Sequence, residues 1–196
     1  MNKIIAFMAL AGTLPLHTTA LAAAQDEYAK QSDIVMTKVV SVDLLNFLLP
    51  LAMTKDQYSK ALPVLEKIRR ATKRTEEKEA QTLRQFEPKL DAALKDAFDK
   101  GLVPSRDLRA QIAIMLKTFN DIRESQVKEN EDTMYDALKT IWTATQMKIA
   151  AQSLDPKDYV SAAKAEEMTD EEKARLFIRE IFLNPAAYDV MLKLDH

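Results

Sequence analysis

Met53-Thr54-Lys55-Asp56-Gln57-Tyr58 reads as the start of a helix. Thr54 as N-cap accepts from the backbone N–H of Gln57, the Gln57 side chain reaches back to the N–H of Thr54, and Met53 and Tyr58 hold the two positions of a hydrophobic staple. Leu154-Asp155-Pro156-Lys157-Asp158-Tyr159 repeats the plan, with Asp155 capping, Pro156 at the first helical position and Leu154 stapled to Tyr159. In Met168-Thr169-Asp170-Glu171-Glu172, Thr169 caps and the acidic residues sit on the positive end of the helix dipole. Pro104-Ser105-Arg106-Asp107 makes a fourth start, and Gly101 ends the helix before it. With every marker a helix start or stop, the chain reads as all-α.

Apolar residues between these marks keep helical spacing. Leu62, Leu65, Ile68, Leu83, Phe86, Leu90, Leu94 and Phe98 recur at steps of three and four after Thr54; Leu108, Ile112, Met115, Phe119, Ile122, Ala137, Ile141 and Ala144 do so after Ser105. Helices over 55–100 and 105–152 joined at Gly101–Pro104 predict an antiparallel hairpin whose facing residues have numbers totalling roughly 205. Phe86 then falls near Phe119 and Leu65 near Leu138. Pro63 and Pro88 each remove a backbone donor inside the first helix, which predicts kinks or breaks there and a long bent hairpin.

Both stripes fail in their middle. Residues 69–79 hold only Ala71, and 123–132 only Val127, as apolar side chains. The hairpin sets these gaps side by side: a basic one with Arg69, Arg70, Lys73, Arg74 and Lys78, and an acidic one with Glu124, Glu129, Glu131 and Asp132. One reading is a salt-bridged, solvated waist; the other is an under-packed surface for a partner, in which Arg69, Arg70, Lys73, Arg74 and Glu129 are the candidate contacts. Trp142 likewise is either a buried anchor or a contact for a bound chain. Residues 33–50 read as a flanking helix packed on the hairpin base near Leu62 and Ile141, with an extended alternative at Val39, Val40 and Val42. Residues 168–182 read as a short amphipathic helix stopped at Asn184-Pro185, with a last turn to Leu194.

The 196 residues include no Cys, two Gly and two His, with 28 basic against 30 acidic side chains. So little Gly and so much charge disfavour sandwiches, barrels and nucleotide-binding α/β folds, and the near-balance in charge disfavours nucleic acid as a partner. Lys3, the apolar run Ile4–Leu16 and Ala20-Leu21-Ala22 together read as a secretory signal peptide over 1–22, leaving a single helical domain over 23–196 and a periplasmic or secreted location. Ser41, Asp43, Asn46 and Pro50 break the one later apolar stretch, so no spanning segment is expected in the mature chain. Removal of the leader leaves Gly101 and His196 as the last of their kinds. A terminal imidazole is poorly placed for triad or Cys-His chemistry or for zinc and copper ligation, so the reading is not an enzyme and no cofactor or metal. Glu129, Glu131 and Asp132 lack the alternating oxygen ligands of a calcium loop.

Met53-Thr54-Lys55-Asp56-Gln57, with Met at the first position, resembles the Leu-Thr-x-x-Gln motif of the Spy/CpxP-like periplasmic proteins, and Leu62-Pro63-Val64-Leu65-Glu66-Lys67 and the leader are similar to that group as well. The stretches 154–158 and 168–172 are similar but degenerate copies. The resemblance implies a bent helical cradle, frequently a homodimer, without cofactors, that acts as an ATP-independent chaperone on protein clients or as an envelope-stress adaptor. The alternative is an interaction protein of the envelope with one dedicated partner and no holdase activity.

Overall fold

The structure, a computed structural model, describes residues 18–195, with side-chain surroundings from residue 31 onward. The expected leader over 1–22 lies mostly outside that range, as does His196. Among the described residues there are seven α-helices and no strand: α1 (Thr18–Leu48), α2 (Lys55–Lys100), α3 (Arg106–Ile141), α4 (Ala144–Ser153), α5 (Ala162–Glu167), α6 (Asp170–Phe177) and α7 (Ala187–Leu194). The all-α expectation holds. The chain separates into two compact units, one up to Val40 and one from Ser41 onward.

Of the first unit the described part is the leading portion of α1. Val39, Val40 and Val42 are helical, not extended. As the flanking-helix reading expects, α1 runs through Ser41, Asp43 and Asn46 to Leu48, and only Pro50 turns it, into a short 3-10 turn over Leu49–Leu51. A lone polar side chain leaves the helical backbone bonds intact, whereas Pro removes one. By length and composition alone, Gln31–Leu51 is long and apolar enough to cross a membrane, contrary to the sequence reading. Its last turns are covered by protein all the same, since Leu44, Leu48 and Leu51 are buried.

The second unit is built on α2 and α3. Gly101 closes α2 in the left-handed region at φ 64°, donating to Ala97, and the Ser105 hydroxyl accepts from the N–H of Leu108 at 3.1 Å to open α3. The two helices pack on each other as a hairpin. Pro63 and Pro88 lie inside α2 without breaking it. Cross-hairpin bonds join Lys89 to Gln111, Glu79 to Arg123, Thr75 to Gln126 and Thr72 to Asn130. These pairs total about 201 instead of 205, roughly one helical turn of offset. The last turn of α2 therefore overhangs the start of α3, and Phe98 on it is 83% exposed.

A single helix over 105–152 is also corrected. The backbone leaves the helix at Trp142 (ψ 150°) and starts again as α4, because Thr143 and Gln146 form a second capping box. At the base of the hairpin α4 packs on α6 and α2 packs on α7. A π-helical turn over Ile178–Phe182 follows α6 and puts Ile178, Ile181 and Phe182 all into the core. Phe177, Phe182, Leu48, Leu51, Leu65, Met134, Leu138 and Met191 are fully enclosed there. No hydrophobic residue between Ile68 and Met134 is buried. The core occupies the base, and the distal hairpin is an arm that protrudes from it.

Candidate functional site

Two features of this body stand out, a paired cap at the base and the arm above it. At the base, the predicted capping box is present: the Gln57 N–H donates to Thr54 Oγ1 at 3.2 Å and the Thr54 N–H to Gln57 Oε1 at 3.0 Å. Thr143 and Gln146 reproduce it, at 3.2 and 2.9 Å. The two glutamines then meet. Gln57 Nε2 donates to Gln146 Oε1 at 2.8 Å, Gln146 Nε2 returns a bond to Gln57 Oε1 at 3.0 Å, and the remaining amide protons go to the carbonyls of Ile141 and Leu51. Each amide thus caps its own helix and locks to the cap of the other. Every polar atom of the pair has a partner, which is the condition under which a buried polar group adds to stability.

The stretch Trp142-Thr143-Ala144-Thr145-Gln146 has the same plan as Met53-Thr54-Lys55-Asp56-Gln57. The sequence reading missed it, although a Thr-x-x-Gln signal was there, because the apolar spacing runs on through Ile141 and Ala144. The residues before the two Thr also meet, Trp142 Nε1 lying 3.4 Å from Met53 Sδ. Met53 is thus engaged by Trp142. Tyr58 is buried, and burial pushes its hydroxyl above the ordinary tyrosine range.

The degenerate copies divide. Thr169 and Glu172 form a full box, and the Thr169 N–H and hydroxyl hold the Glu172 carboxyl below the usual carboxylate range. The Asp155 carboxylate accepts from the Lys157 N–H at 3.0 Å and opens a single 3-10 turn over Pro156–Asp158.

The polar gaps do lie side by side, but the pairing by charge expected across them is corrected. Among the described residues the one ion pair between α2 and α3 is Glu79–Arg123, opposite in sign to the expected arrangement. Glu79 is 5% exposed, and Arg123 Nε sits 2.9 and 3.0 Å from its two oxygens, with Nη2 on Oε2 as well. Below it, Thr75–Gln126–Asn130–Thr72 forms a ladder of side-chain bonds at 2.9–3.2 Å. The acidic residues Glu131 and Asp132 face Arg175 instead, at 3.7 and 2.7 Å, and Arg175 stacks 4.0 Å over the Tyr135 ring. Summing charge along a segment ignores which helix face each side chain occupies, and here that face decides the partner.

The candidate contact residues are placed as follows. Arg69 lies 4.3 Å over the Tyr188 ring and 3.8 Å from Asp189, tying α2 to α7, and Arg70 pairs with Glu66 at 2.7 Å. Lys73, Arg74 and Glu129 are exposed and make no ion pair among the described residues. Arg69, Arg70 and Lys73 line an open cleft of about 550 Å³ together with Ile68 and Pro185. Trp142 is 6% exposed, with Phe182 5.1 Å and Phe177 6.4 Å away edge-on. It is a core anchor, which corrects its inclusion among the contact residues: its rings are spent on Phe177 and Phe182 and only an edge of the indole reaches the surface.

At the sequence level a bent hairpin offers a concave side for another chain, but the apolar stripes of the arm do not read as exposed. Its stripes are apolar at helical spacing, which normally marks a core, yet two helices alone cannot enclose them. Val103 is 80% and Ile114 66% exposed, and Leu83, Leu94, Leu102, Leu116, Ile122 and Val127 are exposed too. Between the helices lies a groove of about 530 Å³ whose floor and walls include Phe86, Ile114, Met115, Phe119 and Ile122. Comparison with protein-family models, with curated proteins and with solved structures gives no match.

Proposed function

We propose that this chain is an exported helical binding protein that acts without ATP on other proteins, as a chaperone or stress adaptor of the Spy/CpxP type. The observation that carries the proposal is the arm, the hairpin over residues 69–133, with apolar side chains along it and none of them buried. Isolated monomers rarely leave large apolar surfaces open unless something binds there. The paired Thr-x-x-Gln caps support the same reading, because a second copy of the motif strengthens a likeness first drawn from one. The paired amides fix the starts of α2 and α4 at the base from which the arm projects.

The test is suppression of aggregation. Purified protein at molar excess is mixed with an unrelated enzyme unfolding from denaturant, without nucleotide, and light scattering is followed. Delayed and reduced scattering is the expected result. Unchanged scattering, with one stoichiometric partner recovered from periplasmic extract, would instead establish an interaction protein with a dedicated partner.

A further inference from the structure

We infer that the groove on the arm takes an amphipathic helix of a partner protein, not an extended chain. The inference rests on the binding-protein reading above and names the class of segment bound. The groove runs along α2 from Thr75 to Phe86, roughly 16 Å or three helical turns. Its apolar lining, Phe86, Ile114, Met115, Phe119 and Ile122, comes from both helices, so an occupant would complete a three-helix layer.

Hydrogen-bonding capacity selects the form of the occupant. An extended peptide entering an apolar groove brings backbone N–H and C=O groups that need partners. The walls are themselves helices with their backbone bonds made. As donors the three hydroxyls present are already committed within the arm, Thr75 to Ala71 and Gln126 at 3.3 and 3.1 Å, Thr82 to Lys78 at 3.0 Å and Thr118 to Ile114 at 2.9 Å. Gln111 Oε1 accepts from Lys89, so few side-chain groups in the groove stand against the N–H and C=O that each residue of an extended chain would bring. A helix satisfies its own backbone and asks only for apolar contact. Charge adds a preference: the charged side chains lining the groove are Lys78 and Glu79, and Glu79 is neutralised by Arg123. Lys78 is exposed and makes no ion pair among the described residues, so it favours an acidic residue at that end of the partner helix.

The experiment uses the whole processed chain and two labelled peptides of roughly 20 residues and equal composition, both of Leu, Ala, Glu and Lys. One places Leu at i, i+3, i+4 and i+7 with flanking Glu; the other alternates Leu with polar residues. Fluorescence anisotropy should show saturable 1:1 binding of the first and weaker binding of the second by about tenfold. Ile114→Glu should weaken the first by roughly tenfold or more, as for an interface anchor. Because Ile114 is open to solvent, an unchanged circular dichroism spectrum is expected for that variant. Equal binding of both peptides, or an unaffected Ile114→Glu, would overturn the inference. So would a dimer in sedimentation equilibrium that Ile114→Glu dissociates, since the groove would then belong to a second copy. Aggregation suppression that survives Ile114→Glu removes the groove and keeps the proposed function; helix binding without suppression keeps the groove and removes the general chaperone.

Discussion

Replacing Gln146 by Ala should cost this protein about 3 kcal/mol of stability. The side-chain amide donates to the Leu51 carbonyl and to Gln57 Oε1, and accepts from the Thr143 N–H, the Thr143 hydroxyl and Gln57 Nε2. It lies in a largely dry setting, so the groups abandoned at Leu51 and Gln57 are not simply rehydrated. A net loss of roughly 1 kcal/mol for each of the three bonds that reach beyond its own capping box, one to Leu51 and two with Gln57, gives the total, and the loss of the box to Thr143 is partly offset by the better helix propensity of Ala. The loss is large beside a whole-domain stability of about 5–15 kcal/mol. Gln57→Ala should cost somewhat less, about 2 kcal/mol, because that side chain is only half-buried. Since the two mutual bonds are counted in both variants, the double variant should fall short of the sum by about 1–2 kcal/mol. Urea unfolding followed by Trp142 fluorescence measures this, because the single Trp sits in the base beside Phe182. Gln81→Ala, on the exposed face of α2, is the control and should stay within about 0.5 kcal/mol. If Gln146→Ala matches the control, or the two costs simply add, the amide pair is not a lock.

Three further outcomes follow from the same geometry. Arg123→Met should lower the urea midpoint more than Glu79→Gln does, because it strands an enclosed carboxylate whereas Glu79→Gln leaves a guanidinium that reaches water; the reverse order would contradict the waist described above. Trp142→Ala should cost about 3–5 kcal/mol, the range for emptying an aromatic site in a core, and a cost under 1 kcal/mol in urea unfolding would place the indole at the surface. The Glu172 carboxyl is held below its unfolded value by Thr169, so its contribution is present above the unfolded carboxylate range and lost as pH falls through the lowered folded value. Carboxyl NMR titration should show that value rise part of the way on Thr169→Ala, which removes the hydroxyl and keeps the backbone N–H, and no movement would rule out the hydroxyl as a cause.

Elements whose signal is local were the legible ones. Thr54 with Gln57, Gly101 and Ser105 each set a helix end through chemistry within three or four residues, and each stands where its cap predicts. The same chemistry at Thr143 and Gln146 was hidden by apolar spacing that continues across the break at Trp142. Long-range facts were harder to read. Pairing of Glu79 with Arg123, and of Arg175 with Glu131 and Asp132, depends on helix rotation and on the docking of α6, neither of which segment charge encodes. The hairpin register missed by about a turn because the overhang of α2 at its tip depends on the path of the connecting loop. The arm misled for a different reason: Leu83, Leu94 and Ile114 follow the spacing of a core stripe, and only the absence of a third helix turns that stripe into a surface.

Photo-crosslinking with an unfolding client tests the central claim, that the open apolar arm is where other proteins are held. A photoreactive side chain is placed either at Ile114 in the groove or at Lys148 on the exposed face of α4, and the full chain is irradiated during client unfolding. Strong adducts from position 114 and few from position 148 are predicted, with adducts disappearing when the client is folded. Equal yields at the two positions, or none at 114 while aggregation is still suppressed, would contradict the account.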